Sequence, residues 1–132
     1  MLFKYNEYVS AKELSDLREA VGWNRMEKEY SSPYMTSYYH IAAYDEDNIL
    51  IGYIDCVSNG VTDAYIQDLT VHPSHQGKGI GTELMNKMIM YLKEKNIYMI
   101  SVVFEKDLKP FYERFGFYTD MLCGQMETCP SE

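Results

Sequence analysis

The segment Val71-His72-Pro73-Ser74-His75-Gln76-Gly77-Lys78-Gly79-Ile80-Gly81-Thr82 carries the densest chemical signal in this 132-residue chain. Glycines at 77, 79 and 81 admit positive φ and put no Cβ in the way of a close approach. Their amide N–H groups, backed by a helix N-terminus, would form a nest for an anion such as a pyrophosphate. A P-loop does not fit, because Gly79 follows Lys78 where Ser or Thr is required and no glycine lies five residues before Gly77. A dinucleotide fingerprint fits weakly, since Thr82 stands where the third glycine belongs. The remaining alternative is a tight turn that uses glycines only for its shape. Three of them alternating between a strand and a helix favour phosphate binding.

Such a loop needs a strand before it and a helix behind it. Ala64 to Val71 reads as a strand, stopped by His72-Pro73 because proline cannot donate to a ladder. From Gly81 to Lys95 the apolar positions Leu84, Met85, Met88, Ile89 and Leu92 recur at helical spacing, and Asn96 caps the end. Ile97 to Phe104 is a near-continuous apolar run, which predicts a strand buried on both faces, so the helix joins two central strands. Upstream, Leu2 to Tyr5 is a short strand. Ser10 and Glu13 stand at capping-box spacing before Leu14, Leu17 and Val21, a helix that Gly22 closes. Asn24 to Ser37 reads as a short helix followed by a loop. Tyr38 to Tyr44 and Asn48 to Val57 are strands joined by the turn Asp45-Glu46-Asp47-Asn48. Downstream, Lys106 or Asp107 opens a last helix through Phe115, Gly116 ends it, and Phe117 to Met126 holds at least one more strand. This order predicts an α+β, or mixed α/β, sandwich over residues 1–132: one domain, a mostly antiparallel central sheet, one β-α-β crossover and flanking helices.

Composition narrows the chemistry. With 46% hydrophobic and 14% aromatic residues the chain can bury a real core. Twelve Lys and Arg against twenty Asp and Glu give a formal charge of −8, which argues against a nucleic-acid partner and suits a small cationic one. Cys56, Cys123 and Cys129 show neither a CxxC spacing nor an even count, so no metal site and no disulfide framework is expected, and the thiols are read as reduced. The N-terminal segment Met1 to Glu7 has no long apolar stretch, and no window is apolar enough to span a bilayer. A cytoplasmic protein without a membrane partner is expected.

Gln76-Gly77-Lys78-Gly79-Ile80-Gly81 resembles the Q/R-x-x-G-x-G/A signature of the GCN5-related N-acetyltransferases, between a strand ending Leu69-Thr70-Val71 and an amphipathic helix. Pro110-Phe111-Tyr112-Glu113-Arg114-Phe115-Gly116-Phe117 is similar to that family's FYxxxGF segment, and the order of elements extends the resemblance over nearly the whole chain. It implies acetyl-CoA as co-substrate. The resemblance assigns its pyrophosphate to residues Gln76, Gly77, Lys78, Gly79, Ile80, Gly81 and Thr82. Its pantetheine arm is assigned to Leu69, Thr70 and Val71, beside a strand that splays at a bulge near Leu69. Tyr112 matches the family's tyrosine that protonates the departing sulfur, and a phenol, which ordinarily titrates near about pH 10, is protonated at neutral pH.

The general base is open. Tyr65 and Gln67 occupy positions where relatives carry histidine or glutamate, and neither is a good base; Asp68 is the one carboxylate on that strand segment, and alternation turns it to the opposite face unless the bulge intervenes. His72 and His75 precede the phosphate loop and are read as loop or pyrophosphate contacts, and His40 as structural. Glu105-Lys106-Asp107 stands where the family often has Asn, and Lys106 is a candidate phosphate contact. Trp23, Tyr30, Tyr34, Tyr38 and Tyr39 either line an acceptor pocket or pack the core. The expected activity is acetyl transfer to a primary amine of a small molecule, an arylalkylamine or a polyamine, by direct attack in a ternary complex. A non-catalytic CoA-binding module and an enzyme acting on a protein N-terminus or lysine are the alternatives. Family members often dimerise, so a homodimer is one expected assembly.

Overall fold

A computed structural model describes residues 1–128. Cys129 lies outside the described residues. The elements run β1 (Leu2–Tyr5), α1 (Ala11–Ala20), α2 (Glu27–Tyr30), β2 (Tyr39–Tyr44), β3 (Leu50–Ser58), β4 (Asp63–Val71), α3 (Ile80–Glu94), β5 (Met99–Val102) and α4 (Lys109–Glu113). The five strands lie in sequence order in one open sheet. Pairing is antiparallel through β4, and α3 then carries the chain across to a parallel β5. This is the mixed α+β architecture expected from the sequence. No helix among the described residues is long and apolar enough to cross a membrane.

Helices cover both faces of the sheet. The Ser10 hydroxyl accepts from Glu13 N at 3.1 Å and the Glu13 carboxylate accepts from Ser10 N at 3.0 Å, which fixes where α1 starts. Leu14 and Leu17 then bury against Ala42, Tyr44, Leu50 and Tyr53. On the other face Leu84, Met85, Met88 and Leu92 of α3 pack on Ile41, Ile54, Cys56 and Ile66. Gly52 sets how closely α3 approaches: a Cβ there would meet Leu84 at 3.1 Å, Ile80 at 3.2 Å and Ala43 at 3.3 Å.

Two expectations fail at the C-terminal end. β5 is an edge strand of four residues whose side chains are alternately exposed and half-buried, not a strand buried on both faces. The apolar run is divided: Ile97 is buried under α3, whereas Val103 and Phe104 leave the sheet to line a cleft. Residues 117–128 form no strand, and Tyr118, Met121, Leu122 and Met126 are exposed. A strand requires a partner ladder, and the outer edge of β5 pairs with nothing among the described residues.

The expected bulge is present. Tyr53 pairs with Thr70 and Asp55 with Gln67, so Asp68 and Leu69 together oppose Ile54 alone. Asp68 sits at φ 57°, in the left-handed region that permits the extra residue. The β4–β5 ladder ends at the pair Ile66 and Val102, immediately before the bulge. Beyond it the two strands separate.

Substituting Gly52→Val should lower stability by about 1–3 kcal/mol through overpacking against Leu84 and Ile80. Urea unfolding should show a lower midpoint with an unchanged m-value.

Candidate functional site

The separation of β4 from β5 opens a trough made of two cavities, of about 530 and 550 Å³, that share Leu69, Leu108 and Tyr112. One runs past Tyr65, Gln67 and Asp68 toward Phe104 and Trp23. The other runs to the glycine loop, past Val71, Gly77, Gly79, Gly81 and Thr82.

At the loop, Gly77 (φ 79°) and Gly79 (φ 82°) adopt left-handed backbone, and a Cβ at either would meet nothing within 4 Å. Gly79 is the N-cap of the 15-residue α3 and offers no side chain to its first-turn amides. Those N–H groups have no intrahelical acceptor and carry the positive end of the helix dipole. An anion fits there, as a pyrophosphate would require. Gly81 differs from expectation: its φ is ordinary, and a Cβ there would sit in ordinary contact with Val71 at 3.6 Å and Phe111 at 3.9 Å.

Of the residues singled out from sequence, Leu69, Val71, Gln76, Gly77, Gly79, Ile80, Gly81, Thr82 and Tyr112 line this half of the trough together with His75. Lys78 is exposed and does not line it. Thr70 is buried away from it, where its hydroxyl donates to Asp68 O at 2.8 Å and braces the bulge. Gln76 Nε2 donates to Val71 O at 3.0 Å, so this side chain holds the strand end and occupies one carbonyl expected to face the pantetheine. His72 shapes the turn, its Nδ1 accepting from Ser74 N at 3.1 Å. Lys106 does not line the trough. Sequence reasoning missed Arg114, which lines the loop side, lies over the Phe111 ring and donates to the Thr82 hydroxyl at 3.2 Å. Its place two residues after Tyr112 was the available signal.

Tyr112 stands where the two cavities meet. It is 8% exposed, stacked on Phe104 at 4.4 Å and edge-on to Phe111 at 5.0 Å, so its ring has one position. Burial, with the nearby Tyr65, pushes its phenol above the usual tyrosine range.

A family model described as "Acetyltransferase (GNAT) family" matches residues 6–117. The chain belongs to the GNAT acetyltransferase family. It is 32% identical over 120 residues to the uncharacterized N-acetyltransferase ycf52 of Gracilaria tenuistipitata var. liui, covering 88% of this chain and 66% of that protein. A GNAT family acetyltransferase of Streptococcus pneumoniae shares the fold at TM-score 0.72 and 29% identity, over 99% of this chain and 98% of that one. An aminoglycoside 6'-N-acetyltransferase solved with coenzyme A has a TM-score of 0.62 and 22% identity, over 77% of this chain and 61% of its own, a likeness of fold.

In this GNAT chain a carboxylate lies opposite Gln67 across the sheet: Asp55, which no motif marks in the apolar strand Leu50–Ser58 and which sequence reasoning therefore missed. It is the cross-strand partner of Gln67 and is 1% exposed. Its Oδ2 accepts from the Tyr53 hydroxyl at 3.2 Å. Burial foremost, and then the charge of Asp68, push Asp55 up to about 7, against the pull of Gln67, Tyr53 and Arg18. The bulge brings Asp68 to this same face, contrary to simple alternation. There it accepts from Tyr30 Oη at 3.0 Å and lies 3.7 Å from Arg18, which also donates to Tyr30. Asp68 is therefore a structural pivot between β4 and the first helices. The aromatic set divides: Trp23 lines the trough, Tyr30 holds Asp68, Tyr34 is 91% exposed, and Tyr38 and Tyr39 pack on Tyr91 of α3 across the sheet.

An Asp raised from 3.8 to about 7 binds its proton more tightly in the folded chain than in the unfolded one. Its contribution is therefore greatest in acid and is lost between about pH 4 and 7. The advantage of Asp55→Asn over the unaltered chain should grow across that window, to about 4 kcal/mol at most, and level off above it. Thermal melts at pH 5 and pH 8 measure it.

Proposed function

We propose that the chain transfers an acetyl group from acetyl-CoA to the primary amine of a small molecule, by direct attack in a ternary complex with no covalent enzyme intermediate. The observation that carries this reading is the unbroken trough from the amides at the start of α3 to Tyr112, opened by the bulge at Asp68 and Leu69. The solved relative that holds coenzyme A supports the same co-substrate here. This chain spans 66% of the length of the ycf52 relative, and the substrate of the whole protein belongs to this proposal.

Acetyl-CoA supplies the activated thioester. Gly77, Gly79 and the first turn of α3 hold the pyrophosphate with backbone N–H groups, and Arg114 adds the one guanidinium that lines the loop side. The β4 backbone at Leu69 and Val71 orients the pantetheine arm in the manner of an added strand, and the N–H of Leu69 polarises the thioester carbonyl. Tyr112, kept protonated by its burial, donates its proton to the departing sulfur, and the attacking amine, neutral at the moment of attack, gives up its own proton to restore the phenol. Trp23, Tyr65 and Gln67 bound the side from which an amine arrives, and the net charge of −8 favours a cationic acceptor over an anionic one.

Calorimetric titration with acetyl-CoA tests the donor site: the unaltered chain should bind it and Gly79→Glu, which puts a carboxylate against the pyrophosphate, should not. Absence of binding by the unaltered chain overturns the reading. Tyr112→Phe should keep acetyl-CoA affinity and lose about 100-fold or more in turnover across a panel of amines and peptides. An idle CoA-binding module would show no turnover in either form, and a preference for peptides would move the acceptor to a protein amine.

A further inference from the structure

Asp55 and Gln67 are cross-strand partners, so their side chains leave the sheet as neighbours on one face. They differ in what else they reach. Asp55 is almost wholly removed from solvent; its Oδ2 accepts from the Tyr53 hydroxyl, and its Oδ1 has no hydrogen bond among the described residues. Gln67 is half-buried and lines the trough with Tyr65, Leu69 and Tyr112. One end of its amide can therefore serve Asp55 while the other faces the trough. Among the groups that draw the Asp55 carboxyl downward Gln67 acts most strongly, ahead of Tyr53 and Arg18, so the NH₂ end of the amide is the end toward the carboxylate. The neighbouring donors are spent elsewhere. Arg18 gives its guanidinium to Asn24, Tyr30 and Asp68. Both ring nitrogens of His40, the partner of Asp55 on β2, are engaged by the Ser37 hydroxyl and the Glu7 carbonyl.

We propose that Asp55 is a positioning residue that acts through Gln67: as a carboxylate it holds the NH₂ end of the amide and turns the carbonyl Oε1 to the trough, and on taking up a proton it turns the amide over. A carboxylate only accepts hydrogen bonds, whereas a carboxylic acid has an O–H to donate. With Tyr53 donating to Oδ2, a proton on Oδ1 needs an acceptor, and Gln67 Oε1 supplies one after half a turn about its last side-chain torsion. The two ends of an amide have nearly the same shape, so the turn needs no repacking. The trough wall at Gln67 then changes from acceptor to donor. Burial sets Asp55 near 7, which puts this exchange in the neutral range. Above the midpoint an attacking amine finds a carbonyl to receive its N–H, and below it the same N–H meets another donor. That consequence for turnover rests on the acetyl-transfer reading; the exchange itself does not.

The titratable and charged groups facing Asp55 are Tyr53 on β3, His40 on β2, Asp68 on β4, Arg18 on α1 and Tyr30 on α2. Tyr53 and Tyr30 are pushed well above the usual phenol range and stay protonated throughout. His40 is the group whose charge the test has to separate from that of Asp55.

The test follows the isotopically labelled full chain by NMR, without acetyl-CoA, from about pH 5 to pH 9. The Asp55 carboxyl carbon, the Gln67 side-chain nitrogen and the Gln67 carbonyl carbon should move through one common step near 7. Gln67→Met, which removes the donor to the carboxylate, should raise the Asp55 midpoint by about half a pH unit or more. The Gln67 step should vanish in Asp55→Asn and stay in His40→Gln. A Gln67 carbonyl carbon that stays still across the Asp55 step overturns the proposal without any variant, because the amide then senses charge and does not turn. An unchanged Asp55 midpoint in Gln67→Met, or a Gln67 step that persists in Asp55→Asn, overturns it as well. Turnover gives an independent readout. The ratio of the unaltered chain to Asp55→Asn, in which the amine's own ionisation cancels, should be up to about tenfold greater at pH 8 than at pH 6, with acetyl-CoA affinity equal in both forms. A ratio that is the same at both pH values overturns the positioning role. Absence of turnover in the unaltered chain counts against the acetyl-transfer reading alone, and the NMR steps then decide this one.

Discussion

One extra residue in β4 determines the rest of the site. With Asp68 in the left-handed region, Asp68 and Leu69 together face Ile54, and the strand gains local twist where its ladder with β5 stops. Two consequences follow from the same kink. Leu69 and Val71 turn toward the α3 side, beside the trough, and Asp68 turns toward α1, where Tyr30 and Arg18 hold it. Thr70 ties the kink by donating to Asp68 O. The interactions that stabilise the bulge therefore come from α1, α2 and β4 itself, while its opening serves the other side of the strand.

The two faces of the sheet divide the work. α3 packs so closely that a Cβ at Gly52 would press on Leu84, Ile80 and Ala43, which holds the helix start, and with it the loop amides, near the end of β4. α4 closes the trough from the far side through Phe111 and Tyr112. The α1 face holds polar groups at the depth where the other holds aliphatic ones: Tyr53 donates to Asp55, Tyr30 and Arg18 hold Asp68, and the two groups act on each other through charge. Tyr30 and Tyr53 are both pushed well above the usual phenol range by burial and by these carboxylates, so they act as hydrogen-bond donors throughout the neutral range.

Net charge and local field point in different directions here, and distance decides between them. The chain is acidic overall, yet the loop presents backbone N–H groups and Arg114, with no acidic side chain lining that half of the trough. Field within hydrogen-bonding range outweighs a surface charge screened over about 10 Å. Asp55 and Asp68 lie instead on the α1 face, away from that loop.

Element order, the capping box of α1, the amphipathic face of α3 and the glycine loop were all legible in the chain, because each is written in residues within a few positions of one another. Tyr112 was legible too, through neighbours in the same short segment. What depended on pairing was not. The apolar run from Ile97 to Phe104 is consistent with a central strand, and only the end of the β4 ladder shows that half of it lines a cleft. Residues 117–126 have strand-forming composition but no ladder to join. Asp55 lies in an apolar strand with no motif around it; its importance comes from Gln67, twelve residues away in sequence and adjacent across the sheet. Thr70 could be read as a member of the motif but not in its role, which is set by the hydrogen bond it makes to Asp68 O. Local spacing encodes helices, turns and loops, whereas register, edges and the burial of a lone charge arise only when strands distant in sequence come together.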